Sequence, residues 1–285
     1  MGDAVRVLIL SLALVLPAGA SDLERAQRLF DRTDYRAAID VLSASGEPKN
    51  GPAWQLAGRS WYQLGDFKKA IDSFEKAIEA EPANSCYHNW MGRAWGRRAE
   101  IANPLSAPGY ASKARGYFEK AVALNPKDQE AASDLLSYYL DAPRFLGGGL
   151  DKAAALAERM KADDPAEYHF ALARIAEQRK QWDLAEGQLR RAVELAPKQV
   201  GRIVDLARFL ARRGKHHESD SAFQLAAKVD PANKAVIFAR AETYIASGRN
   251  VDDARKLLQQ YLQLPLGPDD PSREEARRLL RKAGG

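Results

Sequence analysis

A stretch of 34 residues, Gly51 to Asn84, recurs along this chain, and that recurrence limits its folding more than any other feature. Trp54, Gly58 and Trp61 lie at helical spacing, Gly65-Asp66-Phe67 makes a turn, and Ala70, Phe74 and Ala77 continue at helical spacing until Pro82. Val200 to Asn233 repeats the arrangement with Ala207, Leu210, Gly214, Phe223, Ala226 and Pro231. Ala166 to Gln199 repeats it with Ala173, Ala176, Trp182, Ala185, Ala192 and Pro197. One such helix pair cannot bury its own apolar face, so neighbouring copies must stack into a continuous core. Small residues at Gly58 and Ala77 allow the paired helices to approach, aromatic residues fill the gaps, and the prolines stop each second helix.

Less regular copies fill the rest. Ser85 to Asp128 keeps Gly92, Trp95, Ala114, Phe118, Ala121 and Pro126 around about ten additional residues. Gln129 to Pro165 keeps Tyr139, Ala153, Ala157 and Pro165 with about five additional residues. Residues 234–264 continue the pattern with Ala241, Tyr244, Gly248 and Ala254, and residues 21–50 are a degenerate first copy with Ala26, Leu29, Tyr35 and Ala38. The whole pattern resembles the tetratricopeptide repeat (TPR), most closely over residues 51–84. The resemblance implies an all-α, right-handed α-solenoid of about seven units, at 21–50, 51–84, 85–128, 129–165, 166–199, 200–233 and 234–264. A capping helix is expected at about 271–283, with Ser272 and Glu275 spaced as a capping box.

Residues 1–20 read differently. Arg6, the apolar run Val7 to Leu16, and small residues at Ala18 and Ala20 have the layout of a secretory signal peptide cleaved after Ala20. The expectation is an exported protein, periplasmic or secreted, with no stable membrane insertion after cleavage. A retained anchor is the other reading of that segment. Cys86 is the only cysteine, which excludes an internal disulfide; the thiol is either buried, the favoured reading, or paired with another chain. The net charge of +5 is spread along the chain, so nucleic acid is not an expected partner.

The motifs of hydrolases, zinc proteases, P-loop enzymes and dithiol sites are absent. We therefore expect no catalytic residues, no metal site and no cofactor. His216 and His217 are adjacent at a turn and do not face one another on a helix, while His88 and His169 sit at packing positions.

TPR arrays resembling this one generally hold a protein or peptide partner in the groove lined by their first helices. By register, Gln55, Arg59, Tyr62, Asn89, Arg93, Phe170, Arg174, Val204, Arg208 and Phe238 face that groove. Arg59, Arg93, Arg174 and Arg208 share one repeat position and form a cationic ladder suited to an acidic or carboxylate-bearing partner, unless local glutamates pair with them. The two insertions, 97–116 and 141–152, fall at the turn between the helices of adjacent units. In the first, Asn103-Pro104 ends a lengthened helix and Ala107 to Tyr110 makes the loop. Side by side they form a lip of Arg97, Arg98, Tyr110, Arg144 and Phe145, or else pack on each other. Gly147 to Gly149 is either a phosphate cradle or, with no strand before it and Asp151 after it, a hinge; the hinge reading is favoured. The expected function is a non-catalytic interaction scaffold. The alternative is a small-molecule or lipid-binding accessory protein with a pocket beneath the inserted loops.

Overall fold

The structure is a computed structural model that describes residues 21–44 and 50–284. The signal-like segment and the end of the first repeat lie outside the described residues. Among these residues there are fifteen α-helices and no strand. They are grouped as seven hairpins: α1 (Asp22–Asp31) with α2 (Tyr35–Ser43), α3 (Gly51–Gln63) with α4 (Phe67–Ala80), and α5 (Ser85–Glu100) with α6 (Ala107–Leu124). Then come α7 (Gln129–Asp141) with α8 (Leu150–Met160), α9 (Pro165–Gln178) with α10 (Trp182–Leu195), α11 (Val200–Arg212) with α12 (His216–Val229), and α13 (Lys234–Ala246) with α14 (Val251–Gln263). The last helix, α15 (Arg273–Ala283), packs on α14 and α13. The all-helical solenoid expected from the repeat is what the chain forms.

Local chemistry explains the regularity. Pro82, Pro126, Pro197 and Pro231 each follow the end of a second helix, where a missing N–H does no harm. Two residues after three of them, Asn84, Asp128 and Asn233 cap the next unit's first helix through their side-chain oxygens. Pro165 behaves otherwise: rather than closing the fourth unit, it is the first residue of α9, a place where its fixed φ suits the helix. Ser272 accepts a hydrogen bond from the Glu275 backbone at the start of α15. The full reciprocal capping box occurs instead at Ser21 and Glu24 of α1.

The helices of a pair approach closely where glycine replaces a side chain. A Cβ on Gly58 would lie 2.5 Å from the Phe74 ring, and one on Gly92 would lie 2.6 Å from Phe118. Those two rings are buried in the gap the glycines leave. The turn between the paired helices carries one left-handed residue at an equivalent place in five units: Thr33, Gly65, Lys180, Gly214 and Gly248.

The third and fourth units depart from this scheme. In the third the insertion goes largely into longer helices, α5 and α6, whereas in the fourth it stays in the connection between α7 and α8. The stretch Ala107 to Tyr110, expected as loop, is the first turn of α6, because Pro108 falls where a first-turn proline is favoured. Asn103 and Pro104 lie beyond the end of α5, in the connection.

Candidate functional site

The lengthened α5 and α6, the face of α7 and the α7–α8 connection enclose a cleft of about 570 Å³. Its walls are mainly apolar: Ala99, Pro104, Ala107, Pro108, Ala111 and Phe118 on one side, Ala142, Pro143 and Leu146 on the other. Tyr62 of α3 closes one end. The polar groups are held in place. Arg93 donates to Asp134 at 2.6 Å and reaches Glu130 at 2.7 Å, with its guanidinium 4.7 Å from the Trp90 ring. Burial opposes the Arg93 charge, but the bonds to Asp134 and Glu130 outweigh it and raise its pKa. Burial also pushes up the Tyr62 hydroxyl.

The three glycines determine how the far wall is held. Arg144–Leu146 forms a single 3₁₀ turn, and the Leu146 carbonyl accepts from Tyr138 Oη at 2.9 Å and from Arg115 Nη1 at 3.1 Å. The Arg115 guanidinium occupies the place where Gly147 would carry a Cβ, and a Cβ on Gly148 would strike the Ala142 carbonyl. Gly147 and Gly149 both have positive φ, 86° and 138°. Their N–H groups are already used: Gly147 donates to Arg144 O, Gly148 to Pro143 O and Gly149 to Tyr139 O. A phosphate would find no free donor among these three, and the hinge reading stands. Arg115 ties the two inserted regions together, so they do pack on each other while also framing the cleft.

Of the expected lip, only Arg97 lines the cleft, where it pairs with Glu100. Arg98 turns aside and stacks over Tyr110 at 4.8 Å and Trp95 at 5.4 Å. Arg144 pairs with Asp151 at 2.9 Å on the open surface, and Phe145 is 82% exposed. The lip residues therefore do not converge.

The arginine row exists, but most of it is matched by carboxylates. Arg208 bonds Glu242 at 2.7 Å, Arg93 is doubly paired, and Arg174 lies 3.9 Å from Asp141. Arg59 alone of the four has no carboxylate among the described residues. It lies between the rings of Phe30 and Trp90, at 4.7 and 4.9 Å. Asn89, Phe170, Val204 and Phe238, read as groove residues, are buried. Asn89 donates to Asp134 at 2.8 Å, and Arg202 of the next unit covers Phe170 with its guanidinium 3.8 Å from the ring. Phe170 still edges a second, more polar cleft of about 500 Å³ with Arg174, Asp205, Arg208 and Arg212. Sequence reasoning missed Asp134, Tyr138 and Asp141. A carboxylate one unit beyond two of the four ladder arginines was the available signal, as Asp134 follows Arg93 and Glu242 follows Arg208.

Cys86 is half-buried, not fully buried; Gln55 donates to its Sγ at 3.0 Å, and burial pushes the thiol up. His88 bonds Pro82 O, and His169 bonds Gln188. No group of three or more potential metal ligands occurs among the described residues, and no described helix is long and apolar enough to cross a membrane.

Comparison with known proteins agrees with this architecture. The tetratricopeptide repeat family model matches residues 51–84. A tetratricopeptide repeat protein from Parabacteroides merdae superposes with a TM-score of 0.59 at 14% identity, covering 93% of this chain and 98% of that one. A thermophilic TPR protein from Thermus thermophilus gives 0.52 at 22% identity, covering 66% of this chain and 97% of its own. Anaphase-promoting complex subunit 3 of Dictyostelium discoideum is 33% identical over 87 residues, which are 30% of this chain and 9% of that protein's length. The chain thus contains a tetratricopeptide repeat and has the fold of a TPR solenoid.

Proposed function

We propose that this chain is an exported, non-catalytic scaffold that holds a segment of a protein partner in the cleft between its third and fourth units. The solenoid fold supports the coarse reading, because stacked helix pairs present extended concave surfaces suited to binding other chains. The cleft itself carries the finer one: the two departures from the repeat meet there, and they frame about 570 Å³ of mainly apolar wall with anchored polar groups. Since most ladder arginines already have carboxylates, the partner segment is read as apolar, with its polar contacts at Tyr62 and Arg97. The cleft is open to solvent along one side, which favours a chain segment over an enclosed small molecule or lipid.

Affinity capture from the exported fraction tests the whole reading. The captured chain should begin at Ser21, and cross-linked peptides should map to residues 93–118 and 134–146. Ala111→Trp, which fills the cleft, should reduce capture about 10-fold or more while helical content is unchanged. Equal capture by this variant, or a chain retained in the cytoplasm, sinks the corresponding half of the proposal.

A further inference from the structure

The loop between α14 and α15 reads Pro-Leu-Gly-Pro-Asp-Asp-Pro, residues 265–271, and it reaches the opposite end of the stack. Gln63 of α3 donates through Nε2 to the Pro268 carbonyl at 3.0 Å, across 205 residues of sequence. A Cβ on Gly267 would lie 4.0 Å from the backbone oxygen of Asp31, the last residue of α1. Asp31 and Gln63 each stand two residues before the left-handed turn residue of their units, Thr33 and Gly65, so the loop touches one equivalent place on both.

The loop is held from its own side as well. Lys234 bonds Asp270 at 2.6 Å and the Pro265 carbonyl at 2.7 Å. Asp270 accepts from the Gly267 N–H at 2.7 Å, and Tyr261 and Arg273 hold the Pro271 and Leu264 carbonyls. Its free carboxylate, Asp269, bears on Tyr35 of α2 together with Arg59, the ladder arginine without a carboxylate. The negative charge of the loop and the positive charge of the groove thus act on the same hydroxyl in opposite senses, Asp269 raising its pKa and Arg59 lowering it, after burial, which raises it most.

We propose that residues 265–271 are a built-in occupant of the groove rim at the first two units: an acidic, proline-broken strap, folded as a turn at residues 267–270, that joins the ends of the stack and that a segment of the same chemistry must displace. Curvature accumulated over seven stacked pairs brings the ends together, the Gln63 bond to Pro268 and the approach of Gly267 to Asp31 seat the loop, and its acidic charge suits the same end of the groove as Arg59. The strap is separate from the cleft of the third and fourth units, so each reading can fail without the other.

Two experiments on the full chain test it. With Asp31→Cys and Gly267→Cys in a Cys86→Ser background, a short bismaleimide should link the two thiols within one molecule nearly completely. Thiols that stay free, or link only between molecules, overturn the closure. The synthetic heptapeptide Pro-Leu-Gly-Pro-Asp-Asp-Pro, fluorescently labelled, should bind Lys234→Met, whose strap is unlatched, at least about 10-fold more tightly than the unchanged chain. Adding Gln63→Ala or Arg59→Gln to Lys234→Met should abolish that gain. Equal peptide affinity in the unchanged chain and Lys234→Met, or a gain that survives both second substitutions, overturns the displaceable strap.

Discussion

The third and fourth units and the fifth and sixth units are built from the same helix pair, yet they hold together by different means. In the fifth and sixth, α9 to α12 are 13 or 14 residues long, and each turn is made by one left-handed residue, Lys180 or Gly214. Ion pairs then recur at about one repeat: Arg202 with Glu167, Arg212 with Glu177, Arg208 with Glu242. In the third and fourth, α5 and α6 lengthen to 16 and 18 residues, and the connections expose Ile101, Leu105 and Phe145. Regular units spend their groove side chains on one another. The inserted units leave apolar surface for something else.

The sharpest way to break this contrast is to remove a charge from each region. Arg202 and Glu167 are 14% and 5% exposed, and burial pushes the Glu167 carboxyl up against the pull of Arg202. Arg202→Met strands that acid, so we expect a loss of about 3–5 kcal/mol in urea unfolding. Arg93→Met in the inserted region leaves Asp134 with Asn89 and Glu130 with water, and should cost about 1.5–3 kcal/mol. Equal costs would show that the two regions rely on charge alike.

Close helix approach should be common to inserted and regular units. Gly58→Ala and Gly92→Ala each place a Cβ against a buried ring, and each should cost about 1–3 kcal/mol by the same measurement. A much smaller cost at Gly92 would mean that the insertion has loosened its own hairpin. The smallest effect belongs to the turns. Lys180→Gly relieves a left-handed backbone and should raise stability by about 1 kcal/mol, whereas Gly214→Ala should lower it by about as much. Calorimetry would register each as a shift of a few degrees.

The repeat was legible because its rules are local. Gly58 against Phe74, the prolines after second helices and the apolar spacing all act within one unit, and each is visible in 34 letters. Phe170 and Asn89 were misplaced because what buries them comes from the neighbouring unit, Arg202 in one case and Asp134 in the other. Ala107 to Tyr110 looked like a loop because proline and glycine mark turns, yet both are tolerated in the first turn of a helix. The contact between Gln63 and Pro268 was not legible at all. It depends on a small rotation per unit summed over the stack, and no residue encodes that sum.

That contact also alters how the molecule should come apart. In an open stack the terminal units have one neighbour each, so they fray first and protect their amides least. Here the 265–271 loop bridges the first two units at Asp31 and Gln63, while Lys234 anchors that loop to the last unit. A row of dominoes has become a closed circle. Amide exchange at Asp31 and its neighbours should follow the opening of the far end of the chain, so the two termini melt as one cooperative element.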